Sequence, residues 1–286
     1  AIRAHPYLMQ EVKALGNSDE PAGEDAFDSV VWKHVWHSVK NLFRAKALAW
    51  TGGFFARTPK AAGAAAPYYR RLSRYVSAFA LVSEATLFVL GGTLKRKEML
   101  SARLGDALAE LYLLSAVLKR WHDEGRHESD LPLVKWCAEQ GFATIEKRLD
   151  DVLHNFPVRW LAWLLRLAVL PPVMRARPPS DKATADCAAI LLELSESRDR
   201  LVGAVWDRLD QKSVEVLERA FELVIELEPL YEQLHHSGLK DWRLAHAKGA
   251  ISDEQARLME EAEEAVAAVI EVDDFDAESL ARHPGS

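Results

Sequence analysis

Between Ser101 and His122 the residues Leu104, Leu108, Leu111, Ser115 and Leu118 recur at alternating steps of three and four, which lines them along one stripe of a helix. Leu114, Val117 and Trp121 widen that stripe. A helix apolar over so much of its circumference is expected to lie buried against several neighbours, so this stretch demands a multi-helix core around it. The basic run Lys95, Arg96, Lys97 precedes the helix and Asp123, Glu124, Gly125 end it. Gly91 and Gly92 mark a turn that brings the preceding helix, about Tyr68 to Leu90, back antiparallel.

The rest of the chain obeys the same period. No run of Val, Ile and Thr alternates with polar residues, and only 14 Gly and 12 Pro interrupt 286 residues. The fold class expected is therefore all-α, an antiparallel helical bundle, with a hydrophobic content of 49% to fill its core. A formal charge of -7 argues against a nucleic-acid partner, since such domains present a clustered basic excess. Cys137 and Cys187 suggest neither a disulfide framework nor a four-ligand zinc site, and fit a reducing cytosol. No uninterrupted apolar run reaches the roughly 18 residues that span a bilayer. The abrupt opening AIRAHPY, with no initiating Met and no signal-peptide pattern, is expected to continue a longer polypeptide.

In chain order, residues 1–15 read as the end of a helix, with Pro6 near a first turn, and 16–25 (GNSDEPAGED) as a polar linker. A helix is expected from Phe27 to Phe55, capped by Asp25, stopped at Gly52-Gly53, and burying Val31, Val35, Leu42, Ala45 and Ala49. After a loop at 58–67, the helix from Tyr68 carries Leu72, Tyr75, Val76, Phe79, Val82 and Leu90 inward. A further helix runs from Leu131 to Leu153, with Pro132 in its first turn. Beyond it come an Ala-rich helix at 180–203, capped by Ser180 or Asp181, and a charged segment at 207–234 that reads as a solvated face. Ser252 to Gln255 form a capping box for a last helix to about Val272, and 273–286 read as a flexible tail.

Residues 156–179 (FPVRWLAWLLRLAVLPPVMRARPP) place Trp160 and Trp163 among leucines, with Arg159, Arg166, Arg175 and Arg177 punctuating the run. Arg166 excludes a spanning helix. Trp at headgroup level with Arg toward lipid phosphates is what a helix lying on a membrane surface needs. The competing reading packs this helix into the bundle or a partner subunit, its arginines reaching out to water.

Other constellations are open to simpler explanations. His34 and His37 sit three apart on one face, a spacing metals use, but with no acidic or Cys partner nearby in the sequence they read better as buried or half-buried histidines. Glu84 among apolar residues invites a general-base role, but a salt bridge to Arg70, Arg71, Arg74 or Arg103 is the reading expected. Glu124 with His127, and Glu232 with His235, have the Glu-x-x-His spacing of di-iron carboxylate bundles. Gly125 interrupts the first pair. Gly91-Gly92 before Lys95 to Lys97 would suit a phosphate, and Cys137 as a nucleophile would need a partner histidine. There is no nucleophile elbow, phosphate-binding loop or dinucleotide fingerprint.

As wording, LGGTLKRKEMLSARLGD at the head of the central helix, the run from Lys119 to Arg126 and the segment DLPLVKW from Asp130 to Trp136 resemble the C-terminal domain of bacterial fatty acyl-CoA dehydrogenases of the long enterobacterial type. The resemblance extends from the first residue to about Lys182 and over the last helix. It implies that 1–15 end the upstream helical domain and that 26–272 form the bacterial-type C-terminal helical domain. It also implies a parent enzyme that oxidises medium- or long-chain acyl-CoA to trans-2-enoyl-CoA in fatty-acid β-oxidation, with FAD as cofactor and an electron-transfer flavoprotein as partner. The glutamate base of that reaction would lie upstream of Ala1, so no catalytic residue is expected in this chain. A homodimer, a location in the bacterial cytoplasm and peripheral contact with the inner membrane complete the expectation. A non-catalytic helical interaction or recruitment module is the alternative from another class.

Overall fold

The computed structural model describes residues 7–15, 21–206 and 212–270, and every regular element among them is helical. The chain divides into two compact units, Ala1–Cys187 and Ala188–Ser286. The first holds α1 (Leu8–Leu15), α2 (Pro21–Trp50), α3 (Ala66–Leu90), α4 (Glu98–Asp123), α5 (Leu131–His154), α6 (Arg159–Val169) and the first half of α7 (Asp181–Leu192). The second holds the end of α7, then α8 (Glu196–Trp206), α9 (Lys212–His236), α10 (Trp242–Ala247) and α11 (Asp253–Ile270).

In the first unit α3, α4 and α5 pack on one another, α2 lies on α3, and α6 touches both α2 and α5. The core draws Tyr75 and Val82 from α3, Leu111, Leu114 and Leu118 from α4, and Phe142, Ile145 and Leu149 from α5. Tyr75 and Phe142 stack with ring centroids 5.4 Å apart. The short turn between α4 and α5 makes them antiparallel neighbours, and Gly141 lets α5 approach the Leu114 side chain closely. α3 with its flanking 3-10 turns, 63–96, is the one described helix long and apolar enough to cross a bilayer by length and composition. Its Leu72, Tyr75, Ala78, Leu81 and Val82 are nonetheless buried in this core.

Several expected elements shift. Residues 21–25 are the first turns of α2 rather than linker, with Pro21 in the position a helix tolerates best; 16–20 lie outside the described residues, as do 1–6 and 271–286. α2 stops where the glycine pair predicts, with Gly52 and Gly53 at φ of 61° and 87°. Its buried face is Ala45, Leu48 and Ala49, while Val35 and Leu42 are exposed. Val76 of α3 is also exposed. On α4, Leu104, Leu111, Leu114, Leu118 and Trp121 are buried, but Leu108 and Ser115 face outward beside exposed Tyr112 and Leu113. The central helix is therefore covered on one side only. The 156–179 helix is shorter than expected, running from Arg159 to Val169 before a turn at Pro172–Met174. The 180–203 helix breaks at 193–195 into α7 and α8, and α7 is capped by Ser180, whose Oγ accepts from the Ala183 amide at 3.2 Å.

In the second unit Leu223, Leu227, Leu230 and Leu234 of α9 meet Ala256, Met259 and Ala262 of α11, with Trp242 and Ala245 of α10 closing the cluster. α10 has no counterpart among the expected elements. The capping box forms: the Gln255 amide donates to Ser252 Oγ at 3.2 Å and Gln255 Oε1 accepts from the Ser252 amide at 2.9 Å. Arg198 of α8 clasps Glu218 of α9 in a bidentate pair, Nη2 to Oε2 2.6 Å.

Candidate functional site

α6 buries Ala162, Leu165, Ala168 and Val169 against α2 and α5. The side turned away from that contact is apolar too: Trp160 is 67% and Trp163 64% exposed, with Leu164 and Leu167 beside them. Covered apolar residues on one side and uncovered aromatics on the other mean that burial within the first unit does not account for the Trp content of this helix.

Its arginines divide into two kinds. Arg166 pairs with Asp150 of α5 at 2.9 Å, and Arg175 Nε reaches Glu146 of α5 at 2.7 Å. Arg159 is exposed and donates to the His154 carbonyl at 2.5 Å. Arg177 is exposed, with no hydrogen bond or ion pair among the described residues. The pair formed by Arg175 is part of a buried polar hub that the sequence reading did not single out. Glu146 is 3% exposed and also accepts from the Tyr75 hydroxyl at 2.7 Å and the Ala176 amide at 3.0 Å. Burial, reinforced by that carboxylate, holds the Tyr75 hydroxyl far above its ordinary pKa despite the opposing charge of Arg74. The hub fastens the segment after α6 to α3 and α5, a positioning role. Its sequence signal is a carboxylate on the same helical stripe as Phe142, Ile145 and Leu149.

Glu84 does not pair with an arginine. It accepts from Ser38 Oγ and from Asn41 Nδ2 at 3.2 Å, and lies 3.4 Å from His34 Nε2; the opposite nitrogen, Nδ1, is 2.6 Å from Glu11. Arg70, Arg71 and Arg74 stand ten or more residues away along α3, at least about 15 Å along its axis, and their guanidinium groups lie over Phe54, Phe142 and Tyr75. The Glu11–His34–Glu84 chain ties α1, α2 and α3 together. Ser38 bonds to a carboxylate rather than to the imidazole, so the set is not a nucleophile with its base.

The remaining candidates stay apart. Glu124 ends α4 in an ion pair with Arg120 at 2.7 Å, and Gly125 and Arg126 at positive φ take the chain out of the helix before His127. Glu124 and His127 are therefore not on one helical face. Glu232 and His235 are exposed on α9, and no group of three or more His, Cys, Asp or Glu suited to a metal occurs among the described residues. Cys137 is half-buried, and burial pushes its thiol up, away from the thiolate a nucleophile needs. Gly91, Gly92 and Lys95 to Lys97 are exposed on a 3-10 turn.

A family model described as acyl-CoA dehydrogenase, C-terminal, bacterial type, matches residues 2–275. No solved structure matches the chain.

Proposed function

The chain belongs to the bacterial-type acyl-CoA dehydrogenase C-terminal family, and from that premise we propose that it is the accessory helical part of an FAD-dependent acyl-CoA dehydrogenase. The parent enzyme would convert medium- or long-chain acyl-CoA to trans-2-enoyl-CoA in fatty-acid β-oxidation and pass electrons to an electron-transfer flavoprotein. The observation that carries the reading is the family match over 2–275 on a chain whose described residues are wholly helical.

The cleft at the end of α9 is not built for the flavin itself. It has a volume of about 580 Å³, is lined by Tyr231, Glu232, Leu234, His235, His236, Leu239 and Lys240 and opens to solvent. Glu232 offsets the charge of Lys240 there, and no glycine lines the cleft to bring backbone N–H groups to a pyrophosphate. On the family reading, flavin and acyl-CoA contacts belong mostly to the parent enzyme outside this chain, and this part would serve stability, subunit contact and recruitment in the cytoplasm.

The test is a flavin absorbance spectrum, with and without acyl-CoA, on the full-length product of the gene and on this chain. A yellow full-length protein that bleaches with acyl-CoA, beside a colourless chain, is the expected result. Two colourless proteins would favour the non-catalytic interaction module. For recruitment, the exposed Trp160 and Trp163 motivate peripheral contact of α6 with the inner membrane. Replacing both by Ala is expected to abolish co-flotation of the chain with anionic vesicles, and a chain that never floats would remove that part of the proposal.

A further inference from the structure

The exposed aromatic surface is not confined to α6. On α2, Trp32 is 72%, Trp36 60%, Phe43 68% and Trp50 43% exposed. Their separations of four, seven and seven residues put them on one face of a straight helix, drifting by about 20° per seven residues, over roughly 27 Å of axis. This face lies opposite Ala45, Leu48 and Ala49, which are in the core. It joins the α6 surface directly: Trp50 Nε1 donates to the Leu167 carbonyl at 3.1 Å.

Cations border the aromatic face. Lys33, Lys40 and Arg44, at steps of seven and four, follow one flank, and Lys40 Nζ sits 5.3 Å from the Trp36 ring centroid. At the end of that flank a cleft of about 470 Å³ is lined by Arg44, Ala47, Leu48, Phe55, Ala56, Arg57 and Ser73. Arg44 and Arg57 make no ion pair among the described residues, and no carboxylate lines the cleft. Phe54 and Phe55 next to it are 68% and 70% exposed. The charge asymmetry is wider than the cleft. Residues 29–83 contain nine Lys and Arg and no Asp or Glu, in a chain of net charge -7.

We infer that the outer face of α2 is a docking surface for an anionic phospholipid bilayer, with Arg44, Arg57 and Ser73 receiving a lipid phosphate while Trp32, Trp36, Phe43 and Phe55 enter the headgroup–acyl boundary. It rests on the membrane-contact reading of α6 and extends it to a second helix and a headgroup site. The chemistry commits the occupant. A protein partner explains the aromatic stripe alone, whereas two uncompensated guanidinium groups and a hydroxyl beside exposed Phe rings match a phosphate diester joined to an apolar tail. Trp at interface depth with Lys and Arg alongside is the composition that anionic interfaces bind. The seven-residue recurrence lays α2 flat on the surface rather than across it.

The full 286-residue chain is mixed with vesicles of phosphatidylcholine alone and of phosphatidylcholine with phosphatidylglycerol, and bound protein is measured by co-flotation. Binding is expected only with phosphatidylglycerol. The double variant R44Q/R57Q, at exposed positions, is expected to bind roughly thirtyfold more weakly, from the loss of two cations near an anionic surface. W32A/W36A/F43A is expected to lose binding with its melting temperature unchanged. Should R44Q/R57Q fold poorly, R57Q alone, in the loop after α2, tests the cleft with an expected loss of about fivefold. If the α2 variants float like the parent while W160A/W163A does not, the α2 surface is overturned and the α6 reading stands. Absence of flotation by the parent overturns both. Protection of the parent by inorganic phosphate without vesicle binding assigns the cleft to a soluble phosphate and overturns the lipid proposal. Loss of self-association in W32A/W36A/F43A without vesicle binding does the same in favour of a protein interface.

Discussion

At the scale of single residues, the first unit rests on two carboxylates, Glu84 half-buried and Glu146 buried, with different partners from those that charge alone suggests. Glu84 looks like the partner of an arginine on its own helix, yet its oxygens go to Ser38, Asn41 and His34 of α2; sequence gives the charge of a neighbour but not which face of α3 will lie against α2. Glu146 is the more consequential group, since removing it orphans Arg175, the Tyr75 hydroxyl and the Ala176 amide together. The buried Arg74, whose Nε and Nη2 have no hydrogen-bond partner, would lose the favourable field of that carboxylate as well. Glu146→Ala is expected to cost about 2–3 kcal/mol, from leaving the buried Tyr75 hydroxyl and the Ala176 amide without their acceptor, measured by urea unfolding of the chain. Glu146→Gln, which can still accept from Tyr75, should cost less. A loss below 1 kcal/mol for the Ala variant would show that the hub is solvated. Gly53 is a second fixed point, at φ of 87° and with a Cβ position only 2.4 Å from the Arg70 carbonyl oxygen. Gly53→Ala meets backbone on one side and an unfavourable φ on the other, so a destabilisation of at least about 1 kcal/mol is expected. Unchanged thermal unfolding would mean that the α2–α3 corner moves to accept it.

At the scale of elements, periodicity identifies α3, α4, α5 and α11 because their apolar stripes are long and each is covered in a core, the first three by one another and α11 by α9. It misplaces outward positions because an apolar residue at the right spacing carries no mark of whether a neighbour covers it. Leu108, Val76, Val35 and Leu42 all fit their stripes and all lie outside. The contact between α4 and α5 depends instead on a small residue: a Cβ on Gly141 would stand 2.7 Å from a Leu114 methyl. Gly141→Ala is expected to force the two helices apart or Leu114 off its rotamer, costing about 1–3 kcal/mol, and Leu114→Ala in the same chain should recover part of it. Additive losses in the double variant would refute the contact. The short α10 escapes periodicity because six residues show less than two turns, and it is held by side chains. Trp242 Nε1 donates to Glu263 of α11 at 2.7 Å and Arg243 Nη2 to the same carboxylate at 2.6 Å. These bonds, Arg243 first, hold the Glu263 carboxyl below the usual carboxylate range. A folded pKa depressed below the unfolded one contributes stability above the unfolded value, about 4.3 for Glu, and loses it as pH falls through the folded value. Thermal unfolding of the second unit should therefore weaken below about pH 4, with a shallower acid limb in Glu263→Gln. Because the carboxylate is largely exposed, the difference should also shrink in high salt.

At the scale of the whole molecule, composition and period correctly indicate an all-helical chain, and the family wording is legible to about Lys182 and over the last helix. They do not reveal that the chain builds two cores. One is organised around Tyr75, Phe142 and Leu149, the other around Leu223, Leu227 and Met259, and no residue belongs to both. The reason is physical: each helix needs only one covered stripe, and identical stripes serve one large bundle or two small ones equally well. Separate cores imply separate cooperative units, since unfolding is all-or-none only across surfaces buried together. Calorimetry on the full chain is expected to show two transitions. Phe142→Ala, which empties a fully buried aromatic position in the first core, should lower one transition by an amount matching about 3–5 kcal/mol and leave the other in place. Met259→Ala, at a fully buried position in the second core, should do the converse with a loss of about 2–5 kcal/mol. The vesicle-binding surface of α2 and α6 belongs to the first unit, so anionic vesicles should raise the transition that Phe142→Ala lowers and spare the one that Met259→Ala lowers. A single transition moved by both substitutions would mean that the two cores melt as one, and that ligand effects on either unit are felt throughout the chain.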